Sequence, residues 1–265
     1  MIHKAGPTAS MVWGRTVTGV ADGELHSWRL TACRSAGRLP NGSALGLRLR
    51  CAELRRKRDL DPSVMIANHT VRMLASLLQT GELPLRMFGR GLEAASARHA
   101  TAVSPWVHCS SPVDAAVLTM ARIGWRFESE RVLVTDLGDE LDLTLLGPRE
   151  LGVEAGLGAR RASDRHEMRR LAHGHVPLEP IFWDALAPLL GSGGDLTVRE
   201  QHALIAYVSN AHWTQARLFD AGERNHSRCG CCGASRGTLW HRLFETPMIE
   251  ALRRDSLSPQ LARCA

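Results

Sequence analysis

Only one stretch of this chain, RVLVTDLGDELDLTLL at residues 131–146, alternates apolar and polar side chains with the period of two that a half-buried strand requires. Val132 and Val134 precede a turn-rich DLGDE, and Leu141, Leu143 and Leu145 follow it, so the segment predicts a β-hairpin. WRFES at 125–129 can add a third strand. Elsewhere apolar residues recur three and four apart between helix start and stop signals. One small sheet cannot supply a core, so helices must build it. The expected class is mainly α, with helical domains, one small β-hairpin and a cysteine-bearing C-terminal module.

Several helices announce both ends. Asp61-Pro62 supplies a cap and a first-turn proline, Met65, Val71, Leu74 and Leu78 follow at helical spacing, and Gly81 ends the run. Ser111-Pro112-Val113-Asp114 opens a helix that stops at Gly124, and Thr197-Val198-Arg199-Glu200 is a capping box leading into QHALIAYVSNA. Shorter helices are expected over 22–33, 43–58, 92–102, 163–173 and 180–190, the last with Pro188 limiting its final turn. The glycine-bearing stretches GPRELGVEAGLGA (147–159) and GSGGD (191–195) read as linkers. The expected organisation is thus a helical region over 1–150 ending in the 131–146 hairpin, a helical connector over 151–222, and a small module with a C-terminal helix over 223–265.

No run approaches the ~20 apolar residues that span a bilayer, and MIHKAGPTAS lacks the apolar core of a signal peptide, so a soluble intracellular protein is expected. The seven cysteines are odd in number, and four of them are scattered, which argues against a disulfide framework. Cys33, Cys51 and Cys109 are expected as small buried hydrophobes. Net charge is +6 with a pI near 9.3, carried almost wholly by arginine because Lys4 and Lys57 are the only lysines. Arginine offers phosphate a bidentate fork, although a coding bias toward arginine gives the same composition.

The remaining cysteines concentrate in RCGCCGASRGTLWHRLFETP (228–247). Cys229 and Cys232 have the Cys-x2-Cys spacing with which one tight turn aims two thiolates at one ion, and Gly230 and Gly233 free the backbone for it. His241 can supply a third ligand, and a fourth would be expected at Thr246. A hydroxyl is a poor zinc ligand beside thiolate or imidazole, so His226, Cys231 or the distant Cys264 are the substitutes. The alternative is a decayed site that leaves reduced surface cysteines. Arg228, Arg236 and Arg242 around Trp240 combine positive charge with a stacking ring, as single strands favour, or else Trp240 staples the module to preceding helices.

The order Cys229, Cys232, Gly233, His241 and Pro247 resembles the C-terminal zinc knuckle of non-LTR (LINE-like) retrotransposon reverse transcriptases, with Thr246 in place of that family's last cysteine. HWTQARLFDAG (212–222) resembles the helix before that knuckle, and GVADGELHSWR (19–29) is similar to the segment after the polymerase palm. The resemblance implies a post-palm region with a degenerate zinc-knuckle-like module over 223–265, binding of RNA or DNA, an upstream polymerase domain as partner, and nuclear residence. It does not extend to polymerase chemistry, because the paired aspartates that hold magnesium are missing: no Asp-Asp occurs in the chain.

Three further groups admit two readings each. Asp136, Asp139, Glu140 and Asp142 are clustered carboxylates that can hold metal for phosphodiester hydrolysis, or a solvated hairpin tip. In RLRCAELRRKR (48–58), Arg48, Arg55, Arg56, Lys57 and Arg58 can contact phosphates, or close a helix whose C-terminal dipole favours cations. His166, His173 and His175 lack a companion cysteine or carboxylate at ligand spacing and read as surface histidines. No G-x-S-x-G elbow, phosphate-binding P-loop or helix-opening G-x-G-x-x-G is present.

Overall fold

A computed structural model describes residues 14–37, 43–56, 58–100, 102–172, 183–191, 194–233, 236–238, 241 and 246–247. The chain is mainly helical, with one three-stranded antiparallel sheet among the described residues. It divides into two compact units, Met1–Ile205 and Ala206–Ala265. The expected C-terminal helix lies outside the described residues. No described helix is long and apolar enough to cross a membrane.

In the first unit the chain runs α1 (Arg15–Thr18), α2 (Asp22–Ala36), α3 (Leu45–Arg56), α4 (Pro62–Gln79), α5 (Leu85–His99) and α6 (Pro112–Ile123). The strands β1 (Arg126–Phe127), β2 (Val132–Val134) and β3 (Glu140–Asp142) follow, then α7 (Pro148–Ala172) and α8 (Trp183–Leu190), and α9 (Val198–Val208) runs across the boundary into the second unit. The caps behave as the sequence predicts. The Asp61 carboxylate accepts the Ser63 amide at 2.9 Å, and the Ser111 hydroxyl accepts the Asp114 amide at 3.1 Å. The Thr197 amide and hydroxyl both donate to Glu200, while the Glu200 amide donates back to Thr197. Gly124 ends α6 at φ 83°, a left-handed position where a Cβ is strained.

The sheet has the order β1-β2-β3, with Leu133 facing Leu141 across β2 and β3 and Phe127 facing Leu133 across β1 and β2. The hairpin and its third strand are therefore present. The alternation breaks earlier than expected: Leu143 is buried but Leu145 is 81% exposed. Asp142 is the cause, because its carboxylate accepts the Thr144 amide, the Thr144 hydroxyl and the Leu145 amide, turning the chain out of the sheet.

The largest difference from expectation is α7. Residues 147–159, with their glycines, are not a linker, since one helix runs unbroken from Pro148 to Ala172 and packs along α4. A Cβ built on Gly152 would lie 3.0 Å from the Asn68 carbonyl oxygen of α4, and one on Gly158 would lie 2.7 Å from Trp125 Nε1. At Gly158 an added Cβ would force the Trp125 ring to shift, and at Gly152 and Gly156 the contact with α4 is already tight. Each of these glycines costs helix stability of about 1 kcal/mol relative to alanine. Burial of Leu151, Ala155 and Ala159 in the core with Val64, Val71, Leu74, Phe88, Met120 and Trp125 outweighs that cost, since a large buried apolar side chain contributes ~1.5–3 kcal/mol.

Polar residues of α7 tie the outer helices to this core. Arg29 of α2 forms an ion pair with the capping Asp61 at 2.8 Å and donates to Ser163 of α7 at 2.7 Å. Buried Glu53 of α3 accepts the Leu60 and Asp61 amides and pairs with Arg160 of α7. Glu167 accepts the Gly46 amide at the start of α3 at 2.8 Å. Cys33 and Cys51 are buried as expected, and burial pushes their thiols up to about 11 and about 12. Cys109 is only half-buried, its thiol donating toward the Thr18 carbonyl.

Candidate metal centre

Within the second unit, α10 (Gln215–Asp220) begins at Thr214, whose hydroxyl accepts the Arg217 amide at 3.4 Å. Beyond Gly222 the chain doubles back, and the carbonyl of His226 accepts from the Gln215 side chain at 3.3 Å. Arg228 and Arg236 then form an antiparallel bridge that closes a loop around the cysteines. The Gly237 amide donates to Ser227 at 2.7 Å, and the Gly237 carbonyl accepts from Ala216 at 3.2 Å. A Cβ at Gly237 would lie 3.0 Å from both the Cys229 Cα and the Gln215 Cβ, so this glycine lets the returning strand pass directly behind the first cysteine.

The cysteine turn is held by its own backbone. The Gly233 amide donates to the Cys229 carbonyl at 2.8 Å, with Gly233 at φ 69°, and the Cys231 amide points at the Cys229 sulfur at 3.4 Å. Thr238 accepts the His241 amide on its hydroxyl at 3.0 Å, which fixes the backbone that carries the imidazole. Cys232 Sγ and His241 Nε2 lie 3.1 Å apart, and the ligand atoms of Cys229, Cys232 and His241 all fall within 4.8 Å of one another. Cys229 and His241 are buried, Cys232 half-buried. Burial opposes ionisation of Cys229, but the amides of Cys231 and Cys232, with the Cys232 and His241 side chains, outweigh it and pull the thiol down to about 7. Two sulfurs and an imidazole nitrogen at this separation can hold a metal ion, and among the described residues these three form the only such group.

The other residues named from the sequence separate into three sets. Thr246 is buried, and its hydroxyl donates to the His241 carbonyl at 2.8 Å. Cys231 and His226 are exposed and stand outside the ligand cluster, and Cys264, Trp240 and Arg242 lie outside the described residues. Arg228 is exposed, while Arg236 donates to both carboxylate oxygens of Asp220 at 2.6 and 2.5 Å, its charge offset by a pair that is itself more than half exposed. In the first unit Arg55 sits 3.3 Å from the His202 ring, Arg56 donates to the Ala36 carbonyl at 3.1 Å, Arg58 is exposed, and Lys57 lies outside the described residues.

The carboxylate group does not assemble. Asp136 turns inward, its side chain 3% exposed, and accepts from Arg161, Arg165 and the Trp125 indole at 2.5–2.9 Å. Burial alone would raise its pKa, but the two arginines and the indole hold the carboxyl well below the ordinary range. Asp142 caps its turn, and Asp139 closes the hairpin loop on the Thr135 hydroxyl. The group that spacing alone offered to metal is therefore an internal salt bridge, two turn contacts and an exposed Glu140 on β3. His166 is exposed, as expected, while His173 and His175 lie outside the described residues.

Sequence reasoning missed two residues that build the centre. Thr238, three residues before His241, carries a recognisable N-cap spacing. Gly237 carries no local signal, because its role follows from the strand that crosses behind it. Compared with protein-family models, curated proteins and solved structures, the chain matches none.

Proposed function

We propose that the second unit is a zinc-binding, knuckle-like module that grips a nucleic-acid strand, in a chain derived from the post-palm region of a retrotransposon reverse transcriptase. The convergence of Cys229, Cys232 and His241 within 4.8 Å carries this reading, since four separate features must cooperate to produce it: the Gly233 turn, the Gly237 crossing, the Thr238 cap and the Arg228–Arg236 bridge. Zinc suits the donor set because thiolate and imidazole are its preferred protein ligands. Zinc bound there would cross-link the turn to the segment bearing His241 and hold the basic loop in one shape.

The nucleic-acid part rests on the net charge of +6, on exposed Arg228 at the mouth of the loop, and on the resemblance of the Cys229–Pro247 pattern to an RNA- or DNA-gripping knuckle. Arg236 contributes less than its position in the sequence promises, because a phosphate has to compete with Asp220 for it. The test has two stages. Elemental analysis of the reduced, purified chain should find about one zinc per chain, lost in Cys232→Ser. Fluorescence titration of zinc-loaded protein with single-stranded RNA and DNA should then show affinity falling as salt rises, by about 0.7 in the log–log slope for each phosphate contact. Zinc without nucleic-acid binding at low salt would leave a structural module in a protein-binding or inert helical chain. No zinc in either protein would make the cysteine cluster a remnant.

A further inference from the structure

We propose that the cleft between the end of α5 and the single helical turn Pro105–His108 is a binding site for a small aliphatic carboxylate, gripped by Arg98 and covered along its chain by Val103 and Val107. The cleft has a volume of about 520 Å³, within the roughly 300–1,000 Å³ of small-molecule sites, and it is open to solvent. Its lining is Arg98, Ala102, Val103, Ser104, Val107 and His108, a set that carries no acidic side chain. The site lies in the first unit and needs no metal ion.

A buried carboxylate presets the grip. Asp114, 0% exposed, accepts the Ser110 amide and the Ser110 and Ser111 hydroxyls on one oxygen at 2.8–3.1 Å, and Arg98 and His99 on the other. Burial alone would raise its pKa, but Arg98, the Ser111 hydroxyl, the Ser110 amide and His99 hold the carboxyl well below the ordinary range, so it stays ionised as an anchor. Arg98 reaches it through Nε at 3.3 Å and Nη2 at 2.8 Å, which fixes the guanidinium by its side edge. The Nη1 hydrogens and the second Nη2 hydrogen remain, on a side chain 44% exposed, as a fork that matches a carboxylate. Val103 and Val107, 100% and 78% exposed, supply the apolar wall. The Val107 amide donates to the Ser104 carbonyl at 3.1 Å, holding that wall in the same cleft as Arg98. A ligand with one charged and one apolar end uses both features, whereas an inorganic anion uses only the first. Because α5 ends here, the negative end of its dipole works against an anion, and with the open rim it sets a Kd on the order of 1 mM.

The full chain, isotope-labelled for NMR, is titrated separately with isovalerate, with the neutral isoamyl alcohol and with inorganic phosphate. Isovalerate should give saturable shifts of the Val103 and Val107 amides and of the Arg98 Nε–H, with the alcohol and phosphate each binding at least about tenfold more weakly. Arg98→Gln should abolish the shifts, but it also strips a partner from buried Asp114, so Val103→Glu is the second variant. At a fully exposed position it should leave the melting temperature unchanged, and the like charge it adds to the cleft should weaken isovalerate at least about tenfold. Phosphate or the alcohol binding as tightly as isovalerate would overturn the proposal, since one of the two features would then be idle. So would a Val103→Glu protein that binds like the parent, shifts confined to residues outside the cleft, or no saturation by tens of millimolar isovalerate.

Discussion

Thr246 and Asp136 show how one residue's partners decide what it can do. Spacing places Thr246 where a fourth ligand belongs, yet its hydroxyl serves the His241 carbonyl. Thr246→Cys exchanges a hydrogen bond of about 1 kcal/mol for a soft donor. It should tighten metal binding about tenfold, or ~1.4 kcal/mol, and Thr246→Val should weaken it; competition with a chromophoric chelator measures both. Asp136 makes the opposite point, a carboxylate that spacing offers to metal and the fold gives to Arg161 and Arg165. Because its folded pKa is depressed, its stabilising contribution is complete above the unfolded value of about 4 and is lost as pH falls through and below that value. Asp136→Asn should therefore destabilise the chain by about 2 kcal/mol at neutral pH, discounted for the partly exposed arginines, and flatten the acid limb of a plot of denaturation midpoint against pH. An acid limb as steep as in the parent protein would show that other carboxylates set it.

At the scale of elements, legibility followed how local each signal was. Asp61, Ser111 and the Thr197–Glu200 pair act on amides two or three residues away, so α4, α6 and α9 could be placed from the sequence. Residues 148–162 of α7 could not, because glycine in isolation signals a loop and its compensation lies in other elements, at Asn68 of α4 and at Trp125. Gly158→Ala tests this directly. The added methyl meets the Trp125 ring, which also donates to Asp136, so overpacking should cost about 1–3 kcal/mol, whereas Val153→Ala on the exposed face of the same helix should change stability by less than about 0.5 kcal/mol. Thermal denaturation of the two variants separates a packed helix from a linker, in which alanine would be neutral or favourable at both positions.

Across the whole molecule, the two units rest on different physics. Met1–Ile205 has an apolar core built around α4 and α7, and it needs no ion to account for its burial. The described part of Ala206–Ala265 combines a short helix, the buried Ala211 and Ala216, the Arg228–Arg236 bridge and a turn of amides around three ligands, where a bound ion would add its own binding free energy to folding. That contrast also explains what the sequence could show of the site. The Cys-x2-Cys turn and His241 were visible as spacing, whereas the pairing of Arg236 with Asp220 and the passage of Gly237 behind Cys229 depend on the chain returning across α10. Hydrogen exchange with and without stoichiometric zinc should locate the effect. Amides of Gly233, Gly237 and His241, whose acceptors frame the centre, should slow by at least about tenfold on zinc addition, while those of α4 and the first half of α7 should not change. Slowing spread evenly over both units would mean that the ion stabilises the molecule as one cooperative body, and no slowing at 233–241 would mean that the loop is ordered without it.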